Sequence, residues 1–135
     1  MKFLSHSLQK TFEIASTFTK QLKGGEVIAL IGDLGAGKTH FVKGMAQALG
    51  INEEEVTSPT FSLMQIYAGA KTLVHLDLYR LENLAQLQEL GFEDYLQTEN
   101  IVVVEWADKF IQDLSFDFRV EIRKVDTTTR EIEIH

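Results

Sequence analysis

The chain has 135 residues, a formal net charge of −7 and no cysteine. This suits one compact domain, excludes disulfides and cysteine zinc sites, and argues against a nucleic-acid-binding face, which needs clustered positive charge. The start, MKFLSHSLQK, lacks the apolar core of a signal peptide, and no apolar run nears the ~20 residues of a membrane span, so the expectation is a cytoplasmic protein without membrane contact.

Residues 2–5 read as a short edge strand. Ser7 is an N-cap, and Leu8, Phe12, Ala15, Phe18 and Leu22 recur at helical spacing up to Gly24-Gly25. Val27 to Ile31 is a continuous apolar run, the pattern of a strand covered on both faces. A helix starting near Lys38 is expected to bury Phe41, Val42, Met45, Ala46 and Leu49, and Gly50 ends it. Strands are expected over 61–67 and 73–79, a helix over 82–90, and a further turn over 92–96. Ile101 to Val104 is a second fully apolar run, and 108–114 reads as a short helix. From Phe118 to Ile134 the pattern alternates, as in a half-exposed antiparallel hairpin. Together these predict one α/β domain over 1–135. Its central sheet is mixed, parallel in the core and antiparallel at the edges, and flanked by helices.

Between the first apolar run and its helix lies Gly32-Asp33-Leu34-Gly35-Ala36-Gly37-Lys38-Thr39, a P-loop. Glycines let the backbone approach phosphate oxygens, and amides from Gly35 to Thr39 line an anion nest at the positive end of a helix. Lys38 reaches the β- and γ-phosphates and the Thr39 hydroxyl meets Mg²⁺. The strand–loop–helix context makes the motif specific, and the fold expected is P-loop NTPase-like.

Such a site also needs a carboxylate at a neighbouring strand end. Asp77 and Glu105 each close a predicted strand, and the residues alone leave open which touches the metal. Thr57-Ser58-Pro59-Thr60-Phe61 lies where switch-type NTPases sense the γ-phosphate, although its composition is that of an ordinary turn. His75 reads as structural, Trp106 as core or interface, Arg80 as an ion-pair or phosphate contact, and Arg130 as a surface residue.

These blocks, with His-Leu-Asp-Leu-Tyr-Arg-Leu at 75–81, Glu-Leu-Gly-Phe-Glu-Asp-Tyr-Leu at 89–96 and Val-Glu-Trp at 104–106, resemble the TsaE (YjeE) family. Its members are small bacterial ATPases of tRNA threonylcarbamoyladenosine synthesis. The resemblance covers nearly the whole chain. It implies slow Mg²⁺-dependent ATP hydrolysis and work with the TsaB–TsaD pair, which modifies adenosine 37 of ANN-decoding tRNAs. Contact with tRNA would then be indirect. It also implies that Gly35, Ala36, Gly37, Lys38, Thr39 and His40 wrap the phosphates and that Thr39 and Glu105 hold Mg²⁺. Asp77 becomes the Walker-B-like acid, Thr57 and Thr60 part of a switch, and Thr11 and Arg130 neighbours of base and ribose. The catalytic set is Lys38, Asp77 and Glu105. His40 departs from the Thr or Ser of many members, so at this position the resemblance carries over the backbone amide contact to the phosphates and no side-chain hydroxyl.

Other readings compete. A GTP-driven switch lacks its Asn-Lys-x-Asp signature, for which Ala107-Asp108-Lys109 is a poor substitute. A small-molecule kinase usually closes an arginine-bearing lid. Here the arginines are Arg80, Arg119, Arg123 and Arg130 alone, with no long insertion. A module using ATP only as a structural ligand is a further alternative.

Overall fold

The computed structural model describes residues 1–33, 35–57, 63–107 and 114–135. The strands are β1 (Lys2–Ser5), β2 (Val27–Ile31), β3 (Met64–Tyr67), β4 (Thr72–Asp77), β5 (Asn100–Glu105), β6 (Phe118–Lys124) and β7 (Arg130–Ile134). The helices are α1 (Leu8–Lys20), α2 (Lys38–Ala48) and α3 (Leu84–Glu89), with 3₁₀ turns at Glu53–Glu55 and Phe92–Tyr95. Residues 108–113 of the helix expected over 108–114 and most of the Thr57–Phe61 loop lie outside the described residues.

The strands form a seven-stranded sheet in the order β1-β7-β6-β2-β5-β4-β3. Strands β6, β2, β5 and β4 run parallel. The flanking pairs β3–β4, β6–β7 and β1–β7 are antiparallel. The mixed sheet expected from the sequence is therefore the one observed. Parallel strands need helical crossovers, so both faces of the core strands are covered. Ile28, Leu30, Ile101 and Val103 face α1 and α2 in one apolar cluster, while Val27, Ala29, Val102 and Val104 join Leu87 and Phe92 in the other. Two-sided burial explains why β2 and β5 read as unbroken apolar runs.

Helix α1 starts where expected, with the Ser7 hydroxyl accepting from the Lys10 amide at 3.0 Å. Its buried face keeps Ala15 and Phe18 of the predicted stripe but is otherwise shifted. Leu8 is 51% exposed, and the buried residues are Thr11, Ile14, Ala15, Ser16, Phe18 and Thr19. The cause is the close approach of α2. A Cβ on Gly44 would lie 2.3 Å from the Phe12 carbonyl oxygen and 2.8 Å from the Ala15 methyl. Small residues therefore occupy the seam, and the Ser16 hydroxyl donates to Gln47 across it at 2.9 Å. Strand β4 stops at Asp77, short of the expected Tyr79, because the Asp77 carboxylate accepts from the Tyr79 amide at 2.9 Å and turns the chain.

Gly44→Ala is expected to destabilise the protein by about 1–3 kcal/mol, since its methyl meets backbone that cannot yield. Denaturant unfolding measures it, and an unchanged midpoint would contradict the tight α1–α2 seam.

Candidate active site at the sheet edge

The parallel core places three functional segments at one edge of the sheet. β2 runs into the P-loop, β4 ends at Asp77 and β5 ends at Glu105. Glu105 pairs in register with Leu30 on one side and Asp77 on the other. This is the carboxyl edge, where open α/β sheets bind ligands.

The P-loop backbone is built to approach a ligand. Gly35 and Gly37 have φ of 78° and 107°, left-handed angles open to glycine, and a Cβ on either would meet nothing within 4 Å. The loop therefore faces free space while its geometry requires glycine. Gly32 differs: a Cβ there would lie 2.8 Å from the Ile122 carbonyl oxygen. Gly37 caps α2, whose first residues are Lys38, Thr39 and His40. The amides of that turn have no intrahelical acceptors and carry the helix's positive end.

Lys38 is only 7% exposed. Its Nζ lies 3.8 Å from Glu105 Oε1 and 3.9 Å from the centroid of the Trp106 ring. Trp106 adopts φ of 58°, a left-handed conformation that costs an L-residue about 1–3 kcal/mol. That turn directly after Glu105 accompanies the ring's position over the lysine. Tyr79 packs against the same indole, with ring centroids 4.9 Å apart. The other Glu105 oxygen, Oε2, lies 2.5 Å from Nε2 of His75, which is fully buried. His75 is buried as a structural residue would be, and it is also bonded to a predicted site carboxylate. The sequence signal was its place two residues before Asp77 in an otherwise apolar strand.

Asp77 is 5% exposed. Burial pushes its carboxyl pKa up, and the Glu105 charge adds to the rise, while the Tyr79 amide and Lys38 oppose it. The Asp77 amide donates to the Leu63 carbonyl at 2.8 Å, which ties this strand end to the exit of the Thr57–Phe61 loop. Burial also lowers the His40 pKa, with Lys43 reinforcing the effect, so at neutral pH its imidazole adds no charge to the first turn of α2.

The remaining predicted residues fall in different places. Arg130 is engaged with the P-loop: its Nε donates to the Ala36 carbonyl at 3.0 Å and an Nη to the Gly35 carbonyl at 3.2 Å. Thr11 is buried, and its hydroxyl shares a hydrogen bond with Ser5, which pairs in register with Arg130. Thr60 lies outside the described residues. A groove of about 570 Å³, lined by Phe3, Ile14, Phe18, Phe118 and Ile134, lies away from these groups and holds none of them.

The donor set fits a magnesium nucleotide. Carboxylate and hydroxyl oxygens are hard ligands, and Mg²⁺ characteristically takes one or two carboxylates together with substrate phosphates and water. No cluster of three or more acidic, histidine or cysteine side chains suited to a metal occurs among the described residues. No described helix is long and apolar enough to cross a membrane.

Since the Asp77 pKa is raised on folding, its ionised form costs stability above the ordinary carboxylate range and the cost fades as pH falls through the raised value. In nucleotide-free, chelator-treated protein, Asp77→Asn is therefore expected to melt at a higher temperature than wild type at pH 7. The difference is expected to vanish below pH ~4, where the unfolded aspartate is also protonated. A variant that melts lower at pH 7 would contradict this.

Comparison with known proteins gives the family and the fold. The family model for the threonylcarbamoyl adenosine biosynthesis protein TsaE matches residues 5–132. The tRNA threonylcarbamoyladenosine biosynthesis protein TsaE of Treponema pallidum is 37% identical over 135 residues, covering 99% of this chain and 99% of its own length. Its Aquifex aeolicus counterpart is 39% identical over 131 residues, covering 96% and 91%. The crystal structure of Bacillus subtilis YdiB matches with a TM-score of 0.78 at 32% identity, covering 98% of this chain and 82% of that one.

Proposed function

We propose that this chain, which belongs to the TsaE family of threonylcarbamoyl adenosine biosynthesis proteins, is a Mg²⁺-dependent ATPase acting with the TsaB–TsaD pair in modifying adenosine 37 of ANN-decoding tRNAs. Its place in tRNA threonylcarbamoyladenosine modification follows from the family. The observation that carries the ATPase reading is Lys38, first residue of α2, held 3.8 Å from Glu105 beside an open glycine cradle.

In this reading, amides from Gly35 to His40 bind the phosphates and Lys38 neutralises the β- and γ-oxygens. Thr39 and Glu105 would hold the metal, which would supply charge neutralisation on the phosphates. Asp77 sits one strand beyond Glu105, where its carboxylate would orient the metal or the attacking water. Arg130 holds the carbonyl side of the loop, which keeps the amide side turned to the ligand. Catalysis is electrostatic, and preorganised donors lower the barrier without forming a covalent intermediate.

Lys38→Ala is expected to lower ATP turnover by about 100-fold or more, the scale of losing a preorganised charge-stabilising donor. Wild-type turnover in that variant would sink the site assignment. The role is tested by combining the chain with TsaB, TsaD, tRNA and threonylcarbamoyl-adenylate. Repeated rounds of tRNA modification should require both this chain and ATP. Equal turnover without the chain would contradict the role.

A further inference from the structure

Glu105 is held from two sides, and only one of its partners belongs to the P-loop. Oε1 faces Lys38 at 3.8 Å, and Oε2 is 2.5 Å from His75 Nε2. His75 is opposite Val103 in the β4–β5 register, so it reaches Glu105 diagonally from inside the sheet. An ionised carboxylate only accepts hydrogen bonds, so the proton of this contact sits on Nε2. His75 Nδ1 is buried and has no hydrogen-bond partner among the described residues. A proton there would be an unsatisfied buried donor, so the imidazole is held as the Nε2–H tautomer.

We propose that His75 is a positioning residue for the metal site: its Nε2–H fixes Glu105 Oε2 and so presents Oε1, the oxygen facing Lys38, to the cation. This rests on the reading of Glu105 as a magnesium ligand and extends it to a residue that touches neither nucleotide nor metal. The physical reason is entropic and geometric. A carboxylate free to rotate must be ordered when the cation arrives, whereas one already pinned at one oxygen is not.

The test measures how much Mg²⁺ tightens binding of a non-hydrolysable ATP analogue. The readout is fluorescence of Trp106, the lone tryptophan, whose ring lies on Lys38. His75→Leu removes the donor, whereas His75→Gln returns an amide N–H near the Nε2 position. The Mg²⁺-linked gain is expected to fall about tenfold or more in His75→Leu, the usual scale for losing an outer-shell partner. His75→Gln is expected to recover most of it, and affinity without Mg²⁺ is expected to hold in both. A merely structural histidine would lower the melting temperature and leave the Mg²⁺-linked gain at its wild-type value, and that result would overturn the proposal. A wild-type chain whose binding ignores Mg²⁺ would instead overturn the magnesium reading on which the proposal rests. Should His75→Leu fail to fold, nitrogen NMR of the wild-type imidazole decides: a protonated Nε2 with a bare Nδ1 is expected, and the opposite tautomer overturns the proposal.

Discussion

A carboxylate at the end of an otherwise apolar central strand must be compensated or it unfolds the edge it sits on. Glu105 is 4% exposed and follows four buried aliphatic residues. Burying a lone charge costs several kcal/mol even after the protein relaxes. Here Lys38 supplies the opposite charge and His75 the hydrogen bond. Each partner then has its own position fixed. Lys38 is the first residue of α2, so the pair lies where the P-loop meets the helix. Buried pairs of this kind are weak evidence of stabilisation. Their value here is that lysine, carboxylate and glycine loop are mutually placed before any ligand arrives.

Strain is concentrated in the same neighbourhood. Leu63 and Trp106 are the positive-φ non-glycine residues among the described ones, with φ of 56° and 58°. The Leu63 carbonyl accepts the Asp77 amide, and Trp106 follows Glu105 and covers Lys38. Backbone held in this region persists only where surrounding contacts over-determine it. Both strained residues thus flank the acids at the strand ends, while the helix seam and the rest of the sheet are built from ordinary conformations.

The sequence made the site's components readable for different reasons. The P-loop is legible because its geometry demands glycine at fixed spacing, and Gly35 and Gly37 do adopt left-handed angles. β2 and β5 were legible because strands buried on both faces have no polar alternation, so the acid closing β5 stands out. The His75–Glu105 bond was not legible. It joins residues 30 apart and depends on the β4–β5 register, which periodicity within a strand does not determine. The residues alone read Arg130 as a surface residue because its P-loop partners are backbone carbonyls 94 and 95 positions away, and carbonyls carry no residue-type signal. On α1 the spacing marked Ala15 and Phe18 correctly but missed Thr11, Ser16 and Thr19, because the seam with α2 selects small residues, which hydrophobic spacing undervalues.

The central claim is that Glu105 links the cation to the P-loop. Calorimetric titration of ATP into wild type and Glu105→Gln, each with and without Mg²⁺, tests it most directly. The account predicts that Mg²⁺ tightens binding in wild type and that glutamine removes nearly all of that gain. Affinity without metal should stay level or improve, since a negative charge has left the phosphate site. An equal Mg²⁺-dependent gain in both proteins would contradict the account and pass the metal to Asp77.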